Sequence, residues 1–231
     1  MVRPIEEVAR EFDFHDEALD DAFDTYQRLR QECPVGHSER QGGFWFFTEY
    51  DHVFKIEHDT ETFSSAEGVL LPPFYNPRPM IPIEIDPPML AKYRRVLLGM
   101  FSPKAIDQIT PFVQQVSRDL IATFGKEGPV DVAEAFARPL PMIVFCQMAG
   151  FPVEDYERFH DWVDRIIYLR THDPEATKVA VAEVYEYFEA LLRDLAANPT
   201  GGDTVVDQLV TATIDGQPLS IEEQLDTAFL A

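Results

Sequence analysis

The sequence predicts a mainly α-helical chain with a small β-sheet, an α+β fold. Three observations carry that prediction. Apolar residues recur three and four positions apart in most segments, the mark of helices with one buried face. Two short β-prone runs flank Gly42-Gly43, the signal of a hairpin. Residues 63–86 hold five prolines, at positions 72, 73, 77, 79 and 82, so no regular helix is expected there.

Taken in order, residues 16–31 show helical spacing through Leu19, Phe23, Tyr26 and Leu29. The tripeptide Cys33-Pro34-Val35 ends that helix, and the two strands follow. Residues 50–58 read as a short helix with Val53 and Ile56 inward. The irregular stretch 63–86 carries Val69, Leu70, Leu71, Phe74, Tyr75 and Met80. A loop this long and apolar covers either protein core or a ligand. After it, Asp86 is expected to cap a helix with Pro87 at its first position. Ser102-Pro103 starts another, with Ile109, Phe112, Val116 and Leu120 inward and Gly125 and Gly128 beyond its end. Residues 130–152 read as a more hydrophobic helix interrupted at Pro139 and Pro141, and two amphipathic helices follow within 153–199. The remainder holds a short helix, a tight turn at Asp215-Gly216 and a last helix opened by a capping box from Ser220 to Glu223. That helix reaches Ala231 without a C-cap, so the chain reads as cut there.

At 231 residues and 26.4 kDa, the chain can bury a sizeable core. No repeat or low-complexity linker divides it. A net charge of −22, from 19 basic and 41 acidic residues, argues against nucleic acid and against an anionic membrane surface. No apolar run is long enough to span a bilayer, and the acidic N-terminus lacks the apolar core of a signal peptide. Cys33 and Cys146 stand far apart and read as reduced thiols of a cytoplasmic protein. The six histidines form no helix-borne metal motif, and no phosphate-binding glycine loop occurs.

The helix after Asp86 is anomalous because Lys92, Arg94 and Arg95 crowd its opening turns. Cations near a helix N-terminus are unfavourable by roughly 0.3–1 kcal/mol. Arg94 falls within the apolar stripe of Leu90, Tyr93, Leu97, Leu98 and Phe101, whereas Lys92 and Arg95 are expected to face solvent. An inward cation needs an anion. That anion is either an internal Asp or Glu or a ligand carboxylate or phosphate; spacing does not separate the two.

Several stretches, in order, resemble the cytochrome P-450 haem-thiolate monooxygenases of the bacterial type: LRQECPV before strands ending WFFTEYDHV, then DTETFSS with its apolar loop, IDPPMLAKYRRVLLGMFSPKAI, FARPLPMIVFCQMAGFPVEDYERFHDW and DTVVDQLVTATIDGQPLSIEEQL. The resemblance covers essentially all 231 residues as a single partial domain, the N-terminal half of that fold, ending at the start of its long central helix. Loop length and Ile81-Pro82 are most like the camphor-hydroxylase type. There a loop tyrosine hydrogen-bonds the substrate ketone; Arg78 occupies the matching position, and Tyr75 is the nearest phenol.

What the resemblance implies is specific. Arg94 binds a propionate of haem b, which supplies the missing anion. The usual second propionate ligand falls at Leu90, which cannot donate a hydrogen bond. Val69, Leu70, Phe74, Tyr75, Arg78, Ile81 and Ile83 are the substrate-facing candidates. Lys92 and Arg95 lie where an acidic ferredoxin would dock. The axial cysteine, which tunes the iron for O–O cleavage, belongs to a Phe-x-x-Gly-x-x-x-Cys loop that does not occur here. No catalytic residue and no iron ligand are therefore expected within these residues. The whole enzyme would hydroxylate a small apolar molecule, a terpenoid for instance, using O2 and electrons from a ferredoxin and its reductase. The rival readings are a non-catalytic helper protein derived from the same fold and an inactive fragment.

Overall fold

The computed structural model of the chain describes residues 3–15, 22–125 and 128–230. It divides into two compact units, Met1–Pro72 and Pro73–Ala231.

The first unit contains helices α1 (Ile5–Glu11), α2 (Ala22–Glu32) and α3 (Tyr50–His58) and the strands β1 (Val35–Ser38) and β2 (Phe44–Phe47). The strands pair antiparallel, with Val35 opposite Phe47. Gly36 on β1 lets the Phe46 ring approach closely: a Cβ there would lie 2.3 Å from the ring tip, so the ring would have to move. Around that close approach, Ala9, Phe12, Leu29 and Phe46 form a small core, with the Phe12 and Phe46 rings edge to face at 5.0 Å. Buried Ser38 donates its hydroxyl to the Phe12 carbonyl at 2.6 Å. Leu19 lies outside the described residues. Phe23, expected inward, is 88% exposed, because α2 buries only its Leu29 edge, with Tyr26 against Phe12. Val53 and Ile56 of α3 are half-buried.

The second unit contains α4 (Met89–Leu98), α5 (Pro103–Ala122), α6 (Pro139–Ala149), α7 (Tyr156–Val163), α8 (Pro174–Ala197), α9 (Val205–Thr211), the two-residue strands β3 (Thr213–Ile214) and β4 (Gln217–Pro218), and α10 (Ile221–Leu230). Its centre is α8, whose buried stripe of Thr177, Ala180, Val181, Val184, Phe188 and Leu192 follows helical spacing. Phe188 stacks on Phe151 at 5.0 Å and 10°, and Phe151 in turn stacks on Phe159.

The local signals are present as expected. Ser102 caps α5 through the Ala105 N–H at 3.2 Å. A π-helical turn, Ala133–Ala137, precedes the break before Pro139; the interruption expected at Pro141 is absent, because α6 runs from Pro139 to Ala149 and a proline in the first turn of a helix lacks no intrahelical bond. Asp215 and Gly216 both take positive φ, 51° and 79°, as a two-residue hairpin turn needs. Ser220 and Glu223 complete both bonds of the capping box, at 2.7 and 3.2 Å. One start is corrected. The helix expected at Pro87 begins at Met89, with Pro88 at the cap position and no capping side chain. Asp86 contributes its backbone carbonyl, which accepts from the Leu90 N–H at 3.2 Å. Among the described residues no helix is long and apolar enough to cross a membrane.

Candidate functional site

Leu97 and Leu98 of α4, and Phe101 of the 3-10 turn Gly99–Phe101 that follows, line one side of a groove. Across from these, Pro141, Val144, Phe145 and Met148 recur along α6 at helical spacing. Pro82, Ile83, Val205 and Leu230 complete this groove of about 580 Å³, within the roughly 300–1,000 Å³ typical of ligand sites. Leu98 and Phe101 are 64% and 62% exposed, so the wall is apolar yet uncovered.

Among the described residues, Arg94 is the one charged side chain lining this groove. It lies at the surface, so its expected place in the buried stripe is corrected: Tyr93 is the buried residue of α4. Among the described residues no carboxylate pairs with Arg94. Of its two basic neighbours one behaves differently. Lys92, expected in solvent, is half-buried and pairs with Asp215 at the hairpin turn; Arg95 is exposed. Leu90, one turn before Arg94 on the same side of the helix, is half-buried and offers no donor.

A second cavity, of about 300 Å³, lies behind α6 and is lined by Phe74, Phe145, Trp162, Ile166, Phe188 and Phe229 among others. Phe145 and Leu230 line both spaces, so they form the partition between them.

The loop candidates therefore separate. Phe74 lines the cavity behind α6 and Ile83 lines the groove. Ile81 is 5% exposed and packs into the core. Tyr75 holds positive φ, 62°, with the Lys178 ammonium 5.3 Å from its ring centre. Arg78 is engaged by Asp226, its Nε lying 3.0 and 2.9 Å from the two carboxylate oxygens. Val69 and Leu70 belong to the first unit, where Val69 is exposed and Leu70 half-buried. The α6 lining and Asp226 were not singled out from sequence. α6 is apolar on every side, so its periodicity marks no face.

The cysteines lie elsewhere in the fold. Cys146 is fully buried in α6, and burial, with Asp155 nearby, pushes its thiol up to about 11. Cys33 is half-buried, its thiol 3.5 Å from the Val35 carbonyl.

The groove is thus an uncovered apolar wall with a guanidinium at its edge that no carboxylate pairs with among the described residues. Comparison with known proteins shows what the chain is similar to. The chain is 31% identical over 206 residues to the erythromycin C-12 hydroxylase of Saccharopolyspora erythraea, covering 84% of this chain and 49% of that protein. It is 27% identical over 219 residues to the steroid C26-monooxygenase of Mycobacterium tuberculosis, covering 86% and 50%. Among solved structures, the cytochrome P-450 PksS of Bacillus subtilis superposes with a TM-score of 0.77 at 26% identity, over 91% of this chain and 54% of that one. A mutant of P-450 EryK in complex with erythromycin B gives 0.76 at 29%, over 90% and 53%. No protein-family model matches the chain. The chain has the N-terminal part of the cytochrome P-450 fold and is homologous to the bacterial P-450 monooxygenases. It spans about half the length of the curated relatives it matches.

Proposed function

We propose that this chain forms one wall of the haem site of a cytochrome P-450 monooxygenase acting on an apolar molecule, terpenoids included. The observation that carries the reading is Arg94, which has no carboxylate partner among the described residues and stands at the edge of an otherwise apolar groove. In that role its guanidinium binds a haem propionate by charge-assisted hydrogen bonds. Leu97, Leu98, Phe101, Val144 and Met148 cover the macrocycle and exclude water. Leu90 leaves the propionate one donor fewer on this helix. Bound haem would supply the activation of O2, one atom of which enters a C–H bond while the other leaves as water with two electrons and two protons. Phe74, Trp162 and Phe188 hold the apolar substrate by burial in the adjoining cavity, separated from the haem groove by Phe145 and Leu230. Neither Cys146, buried and protonated, nor Cys33 serves as the axial thiolate; that ligand comes from outside these 231 residues. Electrons arrive from a ferredoxin and its reductase, with exposed Arg95 as a contact for an acidic surface.

Titration of the purified chain with hemin, followed by haem absorbance, tests this. Saturable binding is expected. Arg94→Ala removes a hydrogen bond to a charged group, about 1.5–3 kcal/mol, and should weaken binding at least tenfold. Equal affinity in the variant would remove Arg94 from the haem site. Leu90 favours a second reading, a non-catalytic binding protein derived from this fold; a chain that takes up no hemin would fit that reading instead.

A further inference from the structure

The segment between Pro73 and Pro79 has no regular structure; beside contacts of Asn76 with Glu84, Tyr75 with Lys178 and Phe74 with Arg170, Arg78 ties it to two helices at once. Arg78 reaches Asp226 on α10, with Nε 3.0 and 2.9 Å from the two oxygens and a terminal nitrogen 2.8 Å from one of them. The same carboxylate accepts the Tyr185 hydroxyl of α8 at 3.0 Å. The Arg78 guanidinium also lies 5.2 Å from the Tyr185 ring centre. Burial, then the neighbouring Asp226, pushes the Tyr185 phenol up, so it remains a donor at ordinary pH. Tyr185 stacks on Phe229 at 5.1 Å and 21°. Phe229 lines the cavity behind α6, as does Phe74, four residues before Arg78.

The two ends of the pair differ. The Asp226 side chain is 5% exposed and that of Arg78 is 35%. Asp226 stays with its helix, while Arg78 can swing into water and keep its charge hydrated. Beyond Arg78 the chain is fixed again: Met80 is 1% exposed, and its N–H donates to Glu84 at 2.8 Å.

We propose that Arg78 and Asp226 form a latch that holds residues 74–79 across the rim of the cavity lined by Phe74 and Phe229, and that opening it admits apolar molecules. Arg78 is thus a positioning residue. The latch is a property of this chain and stands whether or not haem binds.

Limited proteolysis of the full chain with chymotrypsin tests it, since cleavage of a folded chain tracks local opening. Cleavage after Phe74 and Tyr75 should be about tenfold faster in Arg78→Gln and in Asp226→Asn, which keeps the size of the carboxylate. Cleavage after buried Phe188 should be unchanged, and the double variant should be no faster than either single one. Entry of 1-anilinonaphthalene-8-sulfonate, followed by stopped flow, should quicken in the same variants. Unchanged cleavage at 74–75, equal acceleration at Phe188, or additive single effects would each overturn the latch. Faster cleavage with unchanged dye entry would overturn the gating.

Discussion

Arg94 and Arg78 carry the same charge on neighbouring parts of the chain, and their surroundings give them opposite roles. Arg78 has an internal carboxylate, whereas Arg94 has an apolar groove and no anion among the described residues. Removing the partner of a charged hydrogen-bonded group costs about 1.5–3 kcal/mol. Asp226→Ala should therefore lower unfolding stability by about that amount in urea titrations, near the lower end because part-exposed Arg78 can be hydrated. Arg94→Ala should leave the urea midpoint nearly unchanged while weakening hemin, since nothing internal is lost with it. The thiols allow a simpler check. Cys146 is buried with its thiol pushed up to about 11, so iodoacetamide should modify Cys33 in the folded chain and reach Cys146 only after unfolding.

Helix α10 is fixed by its first turn. The Tyr93 hydroxyl of α4 donates to the same Glu223 that closes the capping box, which joins two helices 130 positions apart in sequence. Burial first, then Glu223, pushes Tyr93 up to about 12. Burial works the other way on Glu223, but hydrogen bonds from Tyr93 and Ser220 outweigh it and hold the carboxyl below its ordinary value of 4.5. A depressed folded-state value means the contribution is complete above the unfolded value and is lost as pH falls through the folded one. Glu223→Gln should thus cost about 1 kcal/mol at neutral pH and show a shallower loss of stability below about pH 4.5, read by urea unfolding at a series of pH values. At this scale the sequence was informative where structure is local. The caps at Ser102 and Ser220, the break at Pro139 and the turn at Asp215-Gly216 each depend on a few adjacent residues. The start at Met89 rather than Pro87 shows where two consecutive prolines blur that local rule.

The whole chain carries a net charge of −22, and self-repulsion of this size works against a compact state. Raising salt from about 0.01 to about 0.1 M shortens the screening length from roughly 30 to roughly 10 Å. The melting temperature should therefore rise with salt in that range, by scanning calorimetry. A flat response would mean that the acidic surface is already balanced by local pairs such as Arg165 with Glu183 and Asp161.

Composition, helical periodicity and capping residues by themselves determined the mainly helical class, most element positions and the irregular proline-rich loop. Each of these is encoded within a few residues along the chain. The three cations expected in the opening turns of α4 fall in its middle and last turn once the helix starts at Met89. Only the tertiary structure decided that Lys92 pairs with Asp215 whereas Arg94 meets no carboxylate among the described residues. It also showed that Arg78 meets a carboxylate 148 positions away and that Phe145 stands between two apolar spaces. Such contacts join residues distant in sequence, and on an all-apolar helix such as α6 no periodic pattern records which side faces a groove.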